Sequence, residues 1–437
     1  MRKFLLDSFF ATAFVFTILW GLSGVSNLKI FNALDPISQA LEDTELTDYA
    51  FSTLRVDTPA IDTNIVIVNI GYLNREMIGR QIEILSSLNP KVIALDILFK
   101  CEGGLRDSIN CPQAYDSVGN SVFANAVRNT KNMVMAHKLL QTKKITESKI
   151  DTDVMDSLEH SDAELREGAY EGFVNLVTGA EHQEDLKICR QFNPYKDVNG
   201  NRELAYSVMA AMLYDSTKAN KFLARDNETE IINYRGNIVD WHGASTYPGR
   251  YIVLDWDQAL DSSTFVTGMI KDKIVMMGFL GSDLRDTSWD DKFFTPLNKK
   301  FGGRARPDMY GVVVHANIVS MILNEDYIEE LPGWEKYVFA ILICYLNVAL
   351  FWYLFHKLPL WFDTMSITLQ LIQLATFAVL IPYVFYWYHL KLDITIGLAA
   401  LALAGPCFEI YISVIVTGLT SIKEWWLTKR GKQVLTP

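Results

Sequence analysis

The sequence lacks an excess of positive charge. Its 437 residues include 40 Lys and Arg against 51 Asp and Glu, which gives a formal net charge of -11 at pH 7. A protein that wraps DNA or RNA neutralises phosphates with a basic surface. The composition therefore argues against nucleic acid as a partner.

The sequence also lacks the common motifs of hydrolytic, redox and metal-dependent catalysis. It has no His-Glu-x-x-His, no Gly-x-Ser-x-Gly and no Cys-x-x-Cys. The stretch "GFLGS" at 278–282 has neither the third glycine of a dinucleotide fingerprint nor the Gly-Lys-Ser/Thr of a P-loop. The acidic residues after it do not follow the spacing of an EF-hand. We therefore predict a protein that is not an enzyme and that has no cofactor and no metal site.

Cysteine is scarce, with five residues in the chain. Cys101, Cys111 and Cys189 lie in the long polar part of the sequence, and the other two lie in apolar stretches. In an oxidising compartment, Cys101 and Cys111 could form a disulfide that leaves Cys189 over. Three unpaired thiols are an equally open alternative, because separation in sequence does not define the geometry that a disulfide needs.

Long apolar runs, by contrast, are abundant. Half of the residues are hydrophobic and 12% are aromatic. A membrane-spanning helix needs about 20 mostly apolar residues, and four stretches have that length: about 4–24, 337–355, 364–388 and 394–420. The first could instead be a cleaved signal peptide, since Gly24-Val25-Ser26 resembles a cleavage site, but its length favours an uncleaved anchor.

Basic residues near these stretches predict the topology. Arg2 and Lys3 precede the first stretch, and four Lys or Arg residues follow the fourth. By the positive-inside rule, both termini are cytoplasmic and the large segment lies on the other side of the lipid bilayer. We thus predict an N-terminal anchor, an exported domain, three further spans and a short cytoplasmic tail, at 1–24, 25–333, 334–420 and 421–437.

The exported segment alternates between strand-like and helix-like patterns. "NIVIVNI" (64–70) and "KVIALDILF" (91–99) are nearly continuous apolar runs, typical of strands buried on both faces, and 74–90 has helical spacing. This order indicates a right-handed βαβ unit. We therefore predict the α/β class: a three-layer extracytoplasmic domain with a largely parallel sheet, followed by a transmembrane α-helical bundle.

The remaining exported elements are predicted from the same patterns. Helices are expected at about 25–60, 118–129, 202–215 and 311–324, and strands at about 132–139, 230–236 and 273–278. The acidic stretch 142–187 is most simply a solvated excursion or a helical insertion.

Polar residues follow three of the predicted strands. In open α/β sheets, ligands usually bind beyond the carboxyl ends of the strands. If these strand ends are adjacent, five side chains converge on one ligand-binding crevice: Asn69, Asp96, Asp283, Arg285 and Asp286. The alternative is that such groups accept backbone N–H bonds and hold loops in place.

The predicted helix 311–324 carries two polar residues, His315 and Asn317, within an apolar run. His315 shares a face with Val312 and Val319, and a histidine on an apolar face is more often neutral and hydrogen-bonded than catalytic. The alternative is a pH-sensitive contact with the strand ends. That contact would matter because the helix leads towards the second span.

Three polar residues lie near the middle of the predicted spans. At about 1.5 Å per residue, Asn347, Gln373 and Glu409 fall at a similar depth. A carboxylate there is costly, so Glu409 is expected to face the bundle or a partner. A polar clasp between helices is the alternative to a role in signalling or proton transfer.

Several segments together carry a family resemblance: "VIVNIG", "KVIALDILF", "YRG", "KIVMMG", "DLRDTSWDDKFFTP" and "MYGVVVHANIVSMIL". Over roughly 30–332 the chain strongly resembles the CHASE2 domain, an extracytoplasmic sensory domain found beside bacterial adenylate cyclases, histidine kinases and Ser/Thr kinases. The three spans that follow fit the family's usual arrangement. The resemblance implies a bacterial cytoplasmic (inner) membrane protein with a periplasm-facing sensory domain, and it identifies His315 and Asn317 as part of a family signature.

Two features depart from the family pattern. Relatives commonly have an acidic residue near the end of the first strand, where this chain has Asn69, so a charge-dependent role is not expected there. Relatives also usually continue into a cytoplasmic catalytic domain, whereas seventeen residues follow the fourth predicted span here. We therefore expect this chain to lack its own output domain.

These features predict a sensor or regulatory subunit that passes a ligand or envelope signal to a separate membrane or cytoplasmic protein. One alternative is a structural docking subunit of an envelope or secretion complex, with no small ligand. A third reading, a hydrolase that uses Asp96, Asp283 or Asp286, has the weakest support because a nucleophile motif is missing.

Overall fold

The computed structural model describes residues 2–26, 45–55, 60–100, 115–141, 155–177, 188–239, 249–299, 306–392, 394–422 and 425–426. The chain forms two compact units. One unit is 43–328, and the other combines 1–42 with 329–437.

The helices are α1 Arg2–Ser26, α2 Leu46–Tyr49, α3 Arg75–Ser87, α4 Ser117–Asn129, α5 Tyr206–Tyr214, α6 Ser216–Leu223, α7 Gly311–Asn324, α8 Gly333–Lys357, α9 Phe362–Tyr388 and α10 Thr395–Ile410. The strands are β1 Asp62–Asn69, β2 Val92–Asp96, β3 Met133–Leu140, β4 Ser157–Glu159, β5 Tyr170–Phe173, β6 Gln191–Phe192, β7 Tyr195–Val198, β8 Asn201–Leu204, β9 Glu230–Ile231, β10 Tyr251–Leu254, β11 Ile274–Gly278, β12 Lys292–Phe293, β13 Met309–Tyr310, β14 Glu329–Glu330 and β15 Leu390–Lys391.

The unit 43–328 is built on a seven-stranded sheet. Its order is β10-β1-β11-β2-β3-β4, and β5 also pairs with β3. Every pairing along it is parallel except that of β3 with β4. β11 lies between β1 and β2 and pairs with both, so the predicted βαβ unit skips one strand. The largely parallel α/β fold is confirmed.

Both faces of the sheet are covered by helices. Side chains alternate along a strand, and on one face the strands pack against α3 and α4 in a buried apolar cluster that includes Val66, Leu95, Ile82 and Phe123. On the other face, α5 and α7 pack on the strands. The domain therefore has three layers, with the sheet in the middle.

Part of the acidic stretch 142–187 belongs to the sheet. The sequence predicts a solvated excursion there, but residues 157–159 form β4 and residues 170–173 form β5. Both strands are short, and several of their residues are half-buried or exposed. An edge strand of this kind keeps polar side chains on its open face, so it does not produce a long apolar run.

Two other predicted elements differ from the structure. The strand expected at 230–236 is two residues long, and the helix expected at 202–215 begins at Tyr206, after a β7-β8 hairpin. β10, at the edge of the sheet, was not predicted. Much of the predicted helix 25–60 lies outside the described residues.

Four helices in the structure are long and apolar enough to cross a membrane: Phe4–Leu22, Gly333–Lys357, Pro359–Tyr388 and Thr395–Ile422. They agree closely with the four predicted stretches. All four contribute to one buried apolar cluster, in which Val15, Phe351, Phe362 and Phe408 are core members. The unit that combines 1–42 with 329–437 is therefore a helical bundle.

α7 and α8 are separate helices. α7 ends at Asn324, where Glu325 adopts a left-handed conformation (φ 52°), and α8 begins after Pro332. Within the stretch that joins them, β14 pairs in parallel with β15, which precedes α10. The domain is thus joined to α8 by residues 325–332 and not by one continuous helix.

Candidate ligand-binding site

Two of the predicted crevice residues lie in one row at the carboxyl edge of the sheet. In the pairing register, Asn69 of β1 is opposite Gly278 of β11, and Gly278 is opposite Asp96 of β2. The strand ends that the sequence analysis expected to be adjacent therefore meet, with β11 between them. The loop that follows Gly278 begins in the centre of this row.

Asn69 is fully buried and binds other parts of the protein. Its Nδ2 donates to Asp255 Oδ1 at 2.8 Å and to the Gly281 carbonyl at 3.2 Å. Its Oδ1 accepts from the backbone N–H groups of Gly71 and Leu280, both at 2.9 Å. The side chain therefore ties three strand ends together. Asp255, just after β10, was missed by the sequence analysis because β10 itself was not predicted.

The acidic loop after β11 is stabilised by its own carboxylates. Asp286 accepts from the backbone N–H groups of Ser282 at 2.6 Å and Ser288 at 2.7 Å, and these bonds hold the pKa of its carboxyl well below the ordinary range. Asp283 accepts from the backbone N–H of Arg285 at 2.7 Å, and both residues are exposed. The loop is thus folded by local side-chain caps.

Asp96 differs from these residues. It is half-buried, and no other described residue donates a hydrogen bond to its carboxylate. The pKa of Asp96 is raised to about 7, mainly by desolvation and to a smaller extent by the negative charge of Asp291. The positive charge of Lys138 opposes this shift. Close to neutral pH this carboxyl can therefore either donate or accept a hydrogen bond.

Asp291 is a second acid on the same side of the sheet. A Cβ built on Gly311, the first residue of α7, would lie 3.4 Å from its Oδ2. Desolvation of this carboxylate also raises the pKa of Asp291, although the residue as a whole is exposed. Asp96 and Asp291 are therefore two electrostatically coupled carboxyls beside the start of α7.

Two helices begin over this edge because glycines let them approach. A Cβ on Gly278 would lie 2.7 Å from the Cβ of Val312 in α7, and a Cβ on Gly172 would lie 2.6 Å from the Cα of Tyr206 in α5. The hydroxyls of Tyr206 and Tyr310 are buried and have no hydrogen-bond partner among the described residues. Since the charge of Asp96 acts on Tyr206, the two groups are close enough to interact.

His315 lies inside α7 and is buried. Its Nδ1 is 2.7 Å from the Ser207 hydroxyl, and its ring packs edge-to-face on Tyr206 with centroids 5.1 Å apart. Desolvation lowers the pKa of His315 to about 4, although a hydrogen bond with the Val174 backbone acts in the other direction. The ring is therefore neutral at pH 7 and connects α7 to α5.

Asn317 is also buried and connects α7 to the segment after β9. Its Oδ1 accepts from the backbone N–H groups of Arg235 at 2.8 Å and Gly236 at 3.2 Å. Its Nδ2 donates to the carbonyls of Gly236 at 3.0 Å and Val313 at 2.8 Å. The "YRG" and "HAN" segments of the sequence thus contact each other through one amide.

The polar residues of the helical bundle lie in different environments. Asn347 is buried and donates to a carbonyl of its own helix, whereas Gln373 is half-buried. Glu409 is exposed on α10. Gln370 does make a polar contact between helices, because its Nε2 donates to the Leu401 carbonyl at 2.8 Å. Gln370 was missed because Gln373, one turn away, was nearer to the expected depth.

Among the cysteines of the α/β unit, Cys189 is buried and free. Burial raises the pKa of its thiol to about 12, so the thiol is unreactive at neutral pH. Cys101 and Cys111 lie outside the described residues.

Comparison with known proteins identifies the family of this chain. A family model, the CHASE2 domain, matches residues 13–351, which is well over half of the chain. No curated protein and no solved structure matches the chain. The match includes the whole parallel sheet, its carboxyl edge and α7. The chain therefore belongs to the CHASE2 family of extracytoplasmic sensory domains.

Proposed function

We propose that this protein is a non-enzymatic, membrane-anchored sensor or regulatory subunit that passes an extracytoplasmic ligand or envelope signal to a separate protein. The family supports a sensory role, and Asp96 is the observation that carries the proposal for this chain. An unbonded, half-buried carboxyl is costly to maintain, and a polar ligand that hydrogen-bonds to it offsets that cost.

The ligand in this proposal is small and polar and binds at the carboxyl edge of the sheet. Asp96 and Asp291 supply its acidic contacts, and the starts of α5 and α7 line the same edge. Asn69, Asp283, Arg285, Asp286, His315 and Asn317 complete the predicted site. Asn69, His315 and Asn317 would act mainly by holding the strand ends and α7 in position.

α7 is the element that would respond to the ligand. It is buried along nearly its whole length, and its polar side chains bind to three different parts of the domain. A shift of α7 would be passed through residues 325–332 to α8. Such coupling needs a ligand that binds two states with different affinity, typically by about 1–3 kcal/mol.

The receiving protein in this proposal contacts the helical bundle. Glu409 is exposed on a helix that is long enough to cross a membrane. A carboxylate exposed to lipid is unfavourable, so a polar group from a partner helix would stabilise it. In this proposal both termini are cytoplasmic and the α/β domain is outside, as the positive-inside rule predicts. The bacterial inner membrane is what the family suggests.

The docking-subunit alternative shares the membrane anchor and the partner but has no small ligand. One experiment separates the two. The protein is extracted gently in detergent, and the small molecules and polypeptides that remain bound are identified by mass spectrometry. For the sensor, we expect a small molecule that is retained by the wild type and lost from Asp96→Asn, together with a polypeptide that is lost from Glu409→Gln.

Glu83→Gln is the matched control, because Glu83 is an exposed acid on α3 that has no place in the proposed ligand site. It should retain both the small molecule and the polypeptide. A polypeptide that co-purifies at equal amount with no small molecule would favour the docking subunit. Equal retention of the small molecule by the wild type and Asp96→Asn would reject the proposed ligand site.

A further inference from the structure

A histidine and glutamate cluster lies on three neighbouring strands, on the sheet face covered by α3 and α4. His137 is on β3, His160 follows the last residue of β4, and Glu171 is on β5. Since β3 pairs with both β4 and β5, the three side chains are brought to one place from positions far apart in sequence. One nitrogen of each histidine and one oxygen of Glu171 lie within 4.8 Å of one another.

His137 is the residue in this cluster that points to a ligand. It is 1% exposed, and neither of its ring nitrogens has a hydrogen-bond partner among the described residues. A buried polar group without a partner typically costs about 1–3 kcal/mol. The imidazole of His160 is near, with ring centroids 5.1 Å apart, but the two rings make no hydrogen bond in the described structure.

We propose that His137, His160 and Glu171 bind a divalent transition metal ion, with Zn²⁺ as the best match. Two imidazole nitrogens and one carboxylate oxygen are a known zinc ligand set, in which water completes the coordination. Tetrahedral coordination at about 2.1 Å requires donor atoms about 3.4 Å apart. The donor atoms here lie within 4.8 Å of one another, so an ion would draw them closer together.

Two contacts of Glu171 affect how the ion would bind. His160 Nδ1 lies 2.8 Å from Glu171 Oε1. The ion would replace the proton between these two atoms, and the neutral His160 ring would then carry its proton on Nε2. Arg166 Nη1 donates to Glu171 Oε2 at 2.5 Å and its Nε donates to the Ser161 carbonyl. Arg166 therefore leaves Oε1 for the ion and orients the carboxylate, as outer-shell groups do at many metal sites. Its positive charge weakens the affinity for a cation, so we expect moderate affinity.

The site was not predicted from the sequence because its spacing matches no local motif. The three residues are separated by 23 and 11 positions, and two of them lie in or next to strands that the sequence analysis did not predict. The inference is independent of the proposed function, since it concerns binding of an ion and not the transmission of a signal.

The test uses the full chain in detergent, with any purification tag removed. Zn²⁺ is titrated by calorimetry, and Co²⁺ is added as a spectroscopic substitute whose visible bands report its coordination. We expect one ion per chain and Co²⁺ bands of a site with fewer than six ligands. We expect His160→Gln and Glu171→Gln each to weaken binding about tenfold or more.

Glu167→Gln is the matched control, because Glu167 is an exposed glutamate in the same segment and pairs with Arg128 instead. It should bind Zn²⁺ as the wild type does. His137→Gln alters a buried side chain, so the two partly exposed positions carry the test if that variant does not fold. The proposal is overturned if the wild type shows no saturable binding, or if His160→Gln and Glu171→Gln bind as tightly as the wild type.

Discussion

At the scale of single residues, the carboxyl edge of the sheet combines polar groups with very different surroundings. The amide of Asn69 makes four hydrogen bonds within the domain, and Asn317 makes four to backbone groups. Each would leave several buried groups unsatisfied if it were removed. Asp96, two strands away from Asn69 in the same row, has no such bonds from the described residues. A ligand is therefore easier to accommodate at Asp96 than at either amide.

The raised pKa of Asp96 predicts how stability depends on pH. The folded state binds the proton of this carboxyl more tightly than the unfolded state, whose carboxyl has the ordinary pKa of 3.8. Its contribution to stability is therefore present at low pH and lost as pH rises from about 4 to 7. We expect Asp96→Asn to be more stable than the wild type, with an advantage that grows by about 1–2 kcal/mol between pH 5 and pH 8, after allowance for partial exposure.

This difference is measured by thermal unfolding of the α/β domain in the detergent-solubilised chain. Hydrogen exchange of the sheet peptides monitors the unfolding. His315 also titrates in this range and cancels in the comparison. Asp291 is coupled to Asp96 and does not cancel, so the difference reports on the two carboxyls together. A constant difference for Asp96→Asn would contradict the raised pKa.

At the scale of elements, α7 is positioned by close packing as well as by hydrogen bonds. Its first turn lies directly on β11, since Gly278 and Val312 are in contact there. Its middle carries His315 and Asn317, which bind α5 and the segment after β9. A change at Gly278 should therefore move the start of α7 and, with it, the residues beside Asp96.

We expect Gly278→Ala to destabilise the domain by about 1–3 kcal/mol, because the new methyl would overlap Val312 in a fully packed interior. Hydrogen exchange of peptides covering 274–278 and 311–323 should show increased opening. Gly268→Ala is the control, since a Cβ there meets nothing within 4 Å. Unchanged protection of α7 in Gly278→Ala would show that this contact does not position the helix.

At the scale of the whole molecule, a sensory α/β unit and a bundle of apolar helices are parts of one chain. The two are joined after α7 by residues 325–332, in which β14 pairs with β15. Because β15 precedes α10, a movement in this stretch would reach α8 and α10 together. The proposed route of the signal therefore depends on the strand pair as well as on the peptide chain.

The proposed topology predicts which residues react with a reagent that does not cross the membrane. Asp283 is exposed in the α/β unit, and Lys357 is exposed at the end of α8. In intact cells, Asp283→Cys should be labelled by a small impermeant maleimide, and Lys357→Cys should be labelled only after permeabilisation. The unsubstituted protein sets the background from native cysteines. The reverse pattern would place the α/β domain in the cytoplasm and reject an extracytoplasmic sensor.

Much of the fold could be predicted from sequence because burial on both faces leaves a long apolar run. β1, β2 and β11 were found in this way, and α7 was found from its own apolar length. The four apolar helices follow from the same hydrophobic principle at greater length. Since these elements depend on local composition, the class of the domain and the order of its central elements were determined by the sequence alone.

Tertiary structure alone decided the pairing of the strands and the surroundings of the polar residues. β11 lies between β1 and β2 although it is far from both in sequence, and the edge strands β4, β5 and β10 gain their place from their neighbours. Only that pairing brings His137, His160 and Glu171 together. Only the tertiary packing gives Asn317 its hydrogen-bond partners after β9. Hydrogen-bond partners and desolvation come from distant segments, and no local pattern encodes them.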